Sequence, residues 1–123
     1  MRVLVCGSRT FADSDTVDMI LDAINACVVE GVTIIDGAAS GADALAEEWA
    51  DDNDIPNERY PADWLTHGKS AGPIRNQQML DAKPDAVVAF VDKPLVESRG
   101  TKHMTDIATA AGIAVYIVEV RNR

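Results

Sequence analysis

The sequence predicts an α/β protein in which one parallel sheet is covered by helices on both faces. Four short apolar runs rich in β-branched residues suit strands that are buried on both sides. Amphipathic helical patterns lie between these runs, and this alternation predicts parallel strands joined by right-handed crossovers. The runs are RVLVC at residues 2–6, VTIID at 32–36, DAVVAFV at 85–91 and IAVYIVEV at 113–120.

Four helices are predicted from apolar residues spaced three and four positions apart. The segment IPNERYPADW at 55–64 predicts a short edge strand near Arg59, because its prolines exclude a long central strand. Strands and helices then alternate along the whole chain. The residues that mark the helices are Val17, Ile20, Leu21, Ile24 and Val28; Leu45 and Trp49; the span from Pro73 to Leu80; and Met104, Ile107, Ala108 and Ala111.

Length and composition predict one cytoplasmic domain spanning residues 1–123. The chain is long enough to fold around one core without disulfides or metal, and no apolar run reaches the length of a membrane span. Cys6 and Cys27 are expected to be buried free thiols. The net charge of −9 disfavours a nucleic-acid partner, since such binding depends on basic residues, but it allows a small anionic ligand.

Ligands of such sheets bind where the parallel strands end, so four loops are candidates. They are CGSRTF at 6–11, DGAASGAD at 36–43, KSAGPIRN at 69–76 and VDKPLVESRGTKH at 91–103. In the second loop, Gly37 and Gly41 allow a ligand to approach the main chain closely. Ser40 and Asp43 have the spacing of a capping box, and free N–H groups at a helix start favour an anion. The alternative is a tight turn in which the small residues serve only packing.

The first loop has the same character and the same alternative. Gly7 and Ser8 suit a phosphate group, and Arg9 is placed to clamp it.

Basic residues at two predicted helix starts oppose the helix dipole. If Pro73 is the first helical residue, Arg75 lies in the first turn, where a cation costs about 0.3–1 kcal/mol. Arg99, Lys102 and His103 surround Gly100 and Thr101 at the start of the last helix. A bound anion would turn these unfavourable positions into charge-assisted hydrogen bonds. The alternative is that these side chains extend into water or pair with the many acids.

Other polar and aromatic residues give weaker indications. The acids at 13, 15 and 18 suit helix capping better than a calcium loop, and His67 and His103 lack companions for zinc. No metal site and no cofactor is therefore predicted. Trp64, close to Pro61, is equally suited to stacking on a base and to covering the core.

Three segments resemble a known family: VCGSRTF, IIDGAASGADALAEEWA and YPADWLTHGKSAGPIRNQQML, starting at residues 5, 34 and 60. They resemble the small SLOG-superfamily proteins described as YspA-like or cpYpsA-related. The resemblance implies a Rossmann-like domain with central strand order 3-2-1-4-5 and a nucleotide-related ligand at the glycine-rich turns. More distant relatives include the LOG phosphoribohydrolases, which form dimers, and the DNA-processing protein DprA.

The resemblance to LOG enzymes supports binding better than catalysis. Arg75 matches the arginine of the LOG "RK" motif, and Gly100 with Thr101 matches the Gly-Thr of "PGGxGTxxE". The acid that follows in LOG enzymes is replaced here by Lys102 to Met104, and Pro-Gly-Gly is replaced by ESR. Cleavage of a glycosidic bond passes through an oxocarbenium-like state that a carboxylate would stabilise. Candidates for that catalytic role, beside Arg75, are Asp36, Asp43 and Glu97.

The hypothesis is a nucleotide binder or sensor whose ligand is ADP-ribose-like or a nucleoside phosphate. The alternative is a nucleotide N-glycosidase, and a single-stranded DNA binder is less favoured. Dimerisation or higher self-association is expected by analogy with LOG relatives, and no membrane partner is expected. The predicted ligand-binding residues are Gly7, Ser8, Arg9, Gly37, Ser40, Gly41, Asp43, Arg75, Asn76, Gly100 and Thr101.

Overall fold

A computed structural model describes residues 1–121 and shows strands and helices in alternation. The strands are Arg2–Gly7 (β1), Thr33–Asp36 (β2), Asn57–Arg59 (β3), Ala86–Val91 (β4) and Ala114–Glu119 (β5). The helices are Ser14–Cys27 (α1), Ala42–Asp52 (α2), Trp64–His67 (α3), Ala71–Asp81 (α4) and Arg99–Ala110 (α5). Short 3₁₀ turns occupy Gly68–Ser70 and Leu95–Glu97.

The five strands form one parallel sheet in the order β3-β2-β1-β4-β5, which confirms the expected Rossmann-like topology. Val3 of the central strand pairs with Ile34 on one side and with Ala86 on the other. The chain leaves β1 toward β2 and returns later to β4, so the strand order reverses between β1 and β4. A crevice is expected at the carboxyl end of that position.

Two apolar clusters cover the two faces of the sheet. Side chains alternate along β1, so that Val3 and Val5 join one cluster while Leu4 and Cys6 join the other. The first cluster includes α1 and α2 residues such as Leu21 and Trp49, and the second includes residues of α4 and α5. The predicted three-layer arrangement is thereby confirmed. Within residues 1–121, no helix is both long and apolar enough to cross a membrane.

Two predictions of burial are wrong. The run at 113–120 was expected to be covered on both faces, but β5 is an edge strand, and Tyr116 and Ile117 are 60% and 49% exposed. Cys27 is exposed because it ends α1, where the chain turns toward β2. Cys6, by contrast, is buried as expected, and both cysteines are free thiols.

The helix starts differ from the predicted pattern in two places. Asp13 caps α1 as expected, since its Oδ1 accepts a hydrogen bond from Thr16 N at 3.1 Å. The capping box in the glycine-rich loop is not formed, because Ser40 Oγ donates to Arg9 O at 3.1 Å and makes no cap bond. Helix α4 begins at Ala71 directly after a 3₁₀ turn, which places Arg75 in the second turn.

Candidate functional site

A cleft of about 330 Å³ lies at the carboxyl edge of the sheet, where the strand order reverses. The loops after β1 and β4 and the starts of α4 and α5 form its walls. Nine of the sequence-predicted residues line it: Gly7, Ser8, Arg9, Asp43, Arg75, Asn76, Glu97, Gly100 and Thr101. Four others do not line this cleft: Asp36, Gly37, Ser40 and Gly41.

Three of the predicted glycines are packed against protein atoms. A Cβ at Gly41, where φ is +74°, would overlap the main chain of Ser8 and Arg9. A Cβ at Gly7 would overlap the Phe90 carbonyl, and one at Gly37 would overlap the Arg75 guanidinium. Close packing between loops, the alternative raised for DGAASGAD, accounts for these small residues. Gly100 differs, because a Cβ there would meet no atom within 4 Å.

The N–H groups of the glycine-rich loop already donate hydrogen bonds to carboxylates of the protein. Asp43 Oδ2 accepts hydrogen bonds from Gly37 N at 2.9 Å and from Ala39 N at 3.3 Å. Asp36 Oδ1 accepts from Ala38 N at 2.7 Å, and its Oδ2 accepts from Asn57 Nδ2 at 2.7 Å. Three consecutive main-chain donors are therefore satisfied within the protein, and an anion needs donors from another part of the edge.

Burial raises the pKa of both carboxyl groups. Asp36 is fully buried, and desolvation together with a hydrogen bond to Glu47 raises its pKa. Desolvation raises the pKa of Asp43 to about 6, although its two N–H donors and the Arg75 charge oppose the shift. Asp36 thus supports the loop away from the cleft. Asp43 Oδ2 supports the same loop, while its Oδ1 accepts no hydrogen bond within residues 1–121.

The start of α5 supplies the missing donors. No acceptor within residues 1–121 receives the N–H groups of Arg99, Gly100 or Thr101, and α5 has no side-chain cap. Ser98, only 8% exposed, has a hydroxyl with no hydrogen-bond partner in the described part of the chain. All four residues line the cleft. Unpaired donors and the dipole at a helix N-terminus form an anion-binding arrangement.

Four cationic side chains line the same cleft: Arg9, Arg75, Lys93 and Arg99. Across residues 1–121, none of them has a carboxylate oxygen within 4.0 Å. Lys102, by contrast, takes the predicted alternative of local pairing and meets Asp106 at 2.7 Å. The cleft is therefore a concentration of unpaired positive charge in a protein of net charge −9.

Arg75 is half-buried between α4 and the glycine-rich loop. Its Nη1 donates to Gly37 O and its Nε donates to Asn76 Oδ1 at 3.1 Å, whereas Nη2 has no partner within residues 1–121. Desolvation lowers the pKa of this guanidinium. The side chain is thus held in place by two bonds and keeps one nitrogen for a ligand.

Asn76 and Ser8 connect the walls of the cleft. Asn76, 3% exposed, donates to Gly100 O at 3.1 Å and makes a 3.0 Å contact with His103 Nδ1, so it joins α4 to α5. Ser8 Oγ accepts from Asp92 N at 3.2 Å, which joins the loops after β1 and β4. Both residues position the cleft walls, and the side chains of both already form hydrogen bonds within the protein.

A second cavity of about 300 Å³ adjoins the cleft beside Trp64. Arg9, Ala39 and Arg75 line both spaces. Trp64 is 48% exposed and does not cover the core, and the Arg9 guanidinium carbon lies 5.7 Å from its ring centroid. Gly37 and Ser40 line this cavity, so two of the predicted residues absent from the cleft lie next to it.

Sequence reasoning missed Ser98 and Lys93. A signal for Ser98 existed, because a serine directly before Arg99-Gly100-Thr101 stands where a helix cap is expected. Lys93 follows a strong strand but has no motif of its own. Within residues 1–121, no group of three or more His, Cys, Asp or Glu side chains is placed to hold a metal ion.

Comparisons with known proteins identify the family of the chain. The model of the YspA, cpYpsA-related SLOG family (YAcAr) matches residues 1–67. The Gene 61 protein of Mycobacterium phage D29 is 39% identical over 120 residues, covering 93% of each chain. No solved structure matches the chain significantly.

Proposed function

This chain belongs to the YspA, cpYpsA-related SLOG family, and we propose that it is a binder or sensor of a nucleotide or nucleotide-derived ligand. The main support is that one cleft is lined both by the free N–H groups of α5 and by four cationic side chains that have no carboxylate oxygen within 4.0 Å in residues 1–121. Because the protein as a whole is strongly acidic, this local positive charge needs a specific reason, and a phosphate group supplies one.

In the proposed complex, the phosphate lies against the start of α5. The N–H groups of Gly100 and Thr101 and the Ser98 hydroxyl donate to its oxygens, as helix N-termini do in other phosphate sites. Arg75 Nη2 and the Arg99 guanidinium add charge-assisted hydrogen bonds, each of which contributes about 1.5–3 kcal/mol. Gly100 keeps the approach open, since no protein atom occupies the space beside its Cα.

Thermal unfolding with ligands of increasing size, from phosphate to a dinucleotide-like compound, tests this proposal. Inorganic phosphate, ribose 5-phosphate, AMP and ADP-ribose are compared with adenosine, which lacks phosphate. A ligand that binds only the native state adds about 2.7 kcal/mol to the unfolding free energy at a hundredfold excess over Kd. We expect stabilisation by the phosphorylated nucleotides and none by adenosine. Absence of stabilisation by every nucleotide and phosphorylated sugar would contradict the proposal.

Asp43 favours a second candidate function, hydrolysis of a nucleotide N-glycosidic bond. Its carboxyl group lines the cleft with Arg75, Oδ1 is not engaged, and its pKa is about 6, so the ionised form is present at neutral pH. A carboxylate there would stabilise the oxocarbenium-like sugar while water adds to the anomeric carbon. The base would leave with the bonding electrons and take up a proton, giving free base and ribose 5-phosphate.

Product analysis separates the two functions. AMP is incubated with the protein and free adenine is measured, with the Asp43→Asn variant as control. Adenine release that Asp43→Asn abolishes would favour the enzyme, whereas binding without release supports the binder. A DprA-like single-stranded DNA binder is less favoured, because it needs a basic groove that follows several nucleotides.

A further inference from the structure

We propose that the cavity beside Trp64 receives the nucleobase of the ligand, so that the protein selects nucleoside phosphates over phosphorylated sugars. This inference rests on the proposed function, since it assumes that the phosphate binds in the neighbouring cleft. It adds a base-recognition site to which the segment between β3 and α4 contributes Pro61, Ala62 and Trp64, none of which lines the cleft.

The two cavities are arranged for one ligand with two different ends. They share three wall residues, and the space beside Trp64 is bounded by small groups of the glycine-rich loop and by Pro61. One end offers unpaired N–H groups and cations, which suit a phosphate. The other offers a half-exposed indole ring, and aromatic faces bind nucleobases by stacking with little dependence on base identity.

The Arg9 guanidinium lies over the Trp64 ring and must move if a base stacks on that face. A base stacked between the two groups would need about 3.5 Å on each side, which exceeds the 5.7 Å between the Arg9 guanidinium carbon and the ring centroid. Arg9 also lines the cleft, and it has no carboxylate oxygen within 4.0 Å in residues 1–121. The base therefore displaces the guanidinium, which turns toward the phosphate.

This exchange couples the two ends of the ligand. A phosphorylated sugar without a base leaves Arg9 on the indole ring, so it gains neither the stacking contact nor the additional cation. A nucleoside without phosphate displaces Arg9 but offers it no anion. Only a ligand with both groups satisfies both cavities, and the selectivity follows from that requirement.

Calorimetric titration of three variants with AMP and ribose 5-phosphate tests the inference. Trp64→Ala removes the stacking surface, Trp64→Phe retains an aromatic face, and Leu65→Ala is the control. Leu65 is the neighbouring residue of α3, is fully exposed and lines neither cavity. Both positions lie outside the core, so the three variants are expected to fold, and circular dichroism checks this.

We expect the wild type to bind AMP about 5- to 150-fold more tightly than ribose 5-phosphate, the range for one stacked base. Trp64→Ala should remove this preference, because AMP loses its stacking surface while ribose 5-phosphate binds as tightly as before or more tightly, since Arg9 is no longer held over the indole ring. Trp64→Phe and Leu65→Ala should largely keep the preference. AMP should also change the fluorescence of Trp64, against a constant signal from buried Trp49, which donates to Asp22 Oδ1 at 2.8 Å.

Other outcomes separate the failure of this inference from the failure of the proposed function. Equal affinities for AMP and ribose 5-phosphate in the wild type would overturn the base site and leave phosphate binding intact. An AMP preference that Trp64→Ala does not reduce would also overturn it, because the base would then bind elsewhere. Absence of binding by both compounds would overturn both proposals.

Discussion

Gly37→Ala is expected to disable the candidate site while the protein still folds. A Cβ at this position overlaps only the Arg75 guanidinium among its nearest neighbours, and Gly37 is not in the left-handed region. The substitution therefore requires no movement of the main chain. It moves the far end of one long, flexible side chain out of its place beside the cleft.

Two opposing contributions set the change in unfolding free energy. Loss of the hydrogen bond from the charged Arg75 guanidinium to Gly37 O costs about 1.5–3 kcal/mol. Replacing glycine reduces the entropy of the unfolded chain and stabilises the protein by about 0.4–1 kcal/mol. The net change should be a loss of about 0.5–2.6 kcal/mol. Gly41→Ala should cost far more, because its Cβ overlaps main-chain atoms and its φ is +74°.

The affinity for a phosphorylated ligand should fall as well. Removing one charge-assisted contact corresponds to about 1.5–3 kcal/mol, or about 10- to 150-fold in the Kd for ribose 5-phosphate. Arg75→Ala should weaken binding by a similar factor, and the double variant should be no weaker than either single variant. Gly72→Ala, a matched glycine substitution in α4 outside the cleft, should keep wild-type affinity.

Urea unfolding measures the stability of these variants, and calorimetry measures their Kd for ribose 5-phosphate. Wild-type affinity in Gly37→Ala would show that the observed position of Arg75 is not needed for binding. Additive losses in the double variant would show that Gly37 and Arg75 act on the ligand separately. Either result would refute the assignment of Arg75 as a phosphate contact held by the glycine-rich loop.

Two further predictions concern pH and assembly. The folded pKa of Asp43, about 6, exceeds its ordinary value, so its stabilising contribution is present at low pH and is lost as pH rises from about 4 to about 6. The raised pKa of Asp36 extends this loss of stability to higher pH. Asp43→Asn should flatten the lower part of the curve of unfolding free energy against pH. A wild-type unfolding free energy that does not change with pH, measured by urea unfolding, would contradict the prediction. We also expect self-association, because a neighbouring copy could complete the open cleft. Light scattering at tens of micromolar protein should show a dimer or a larger assembly, and a monomer at that concentration would contradict the prediction.

The sequence was sufficient to predict the fold because the strands and helices have clear local patterns. Apolar runs identified the strands, prolines identified the short edge strand at Arg59, and the resemblance supplied the strand order. Exposure of β5 and Cys27 was not predictable in the same way. An apolar run contains no information on whether its strand lies at the centre or at the edge of a sheet.

The site was predictable in its location and less so in its contacts. That four loops meet at the carboxyl edge follows from parallel topology alone. The sequence indicates that a glycine leaves space but not which atom fills it, so the contact between Gly37 and Arg75 was not foreseen. Pro73 is tolerated throughout the first turn, so it did not fix the start of α4, and Arg75 was placed one turn too early.

The capping prediction failed because two partners compete for the same carboxylate. Ser40 and Asp43 have the correct local spacing, but Asp43 instead accepts the N–H groups of Gly37 and Ala39. Local spacing gives no measure of that competition, since the competing donors become available only once the loop has folded against the loop after β1.

The two aspartates that hold the glycine-rich loop also bear on how a ligand is received. Loops that cradle phosphate often become ordered only when the anion arrives, and the entropy lost then reduces affinity. Here the carboxyl groups of Asp36 and Asp43 accept the N–H groups of the loop from within the chain, in the place that such an anion would take. The backbone of the glycine-rich loop is therefore held by the protein itself, and binding energy is available for recognition instead of for ordering this loop.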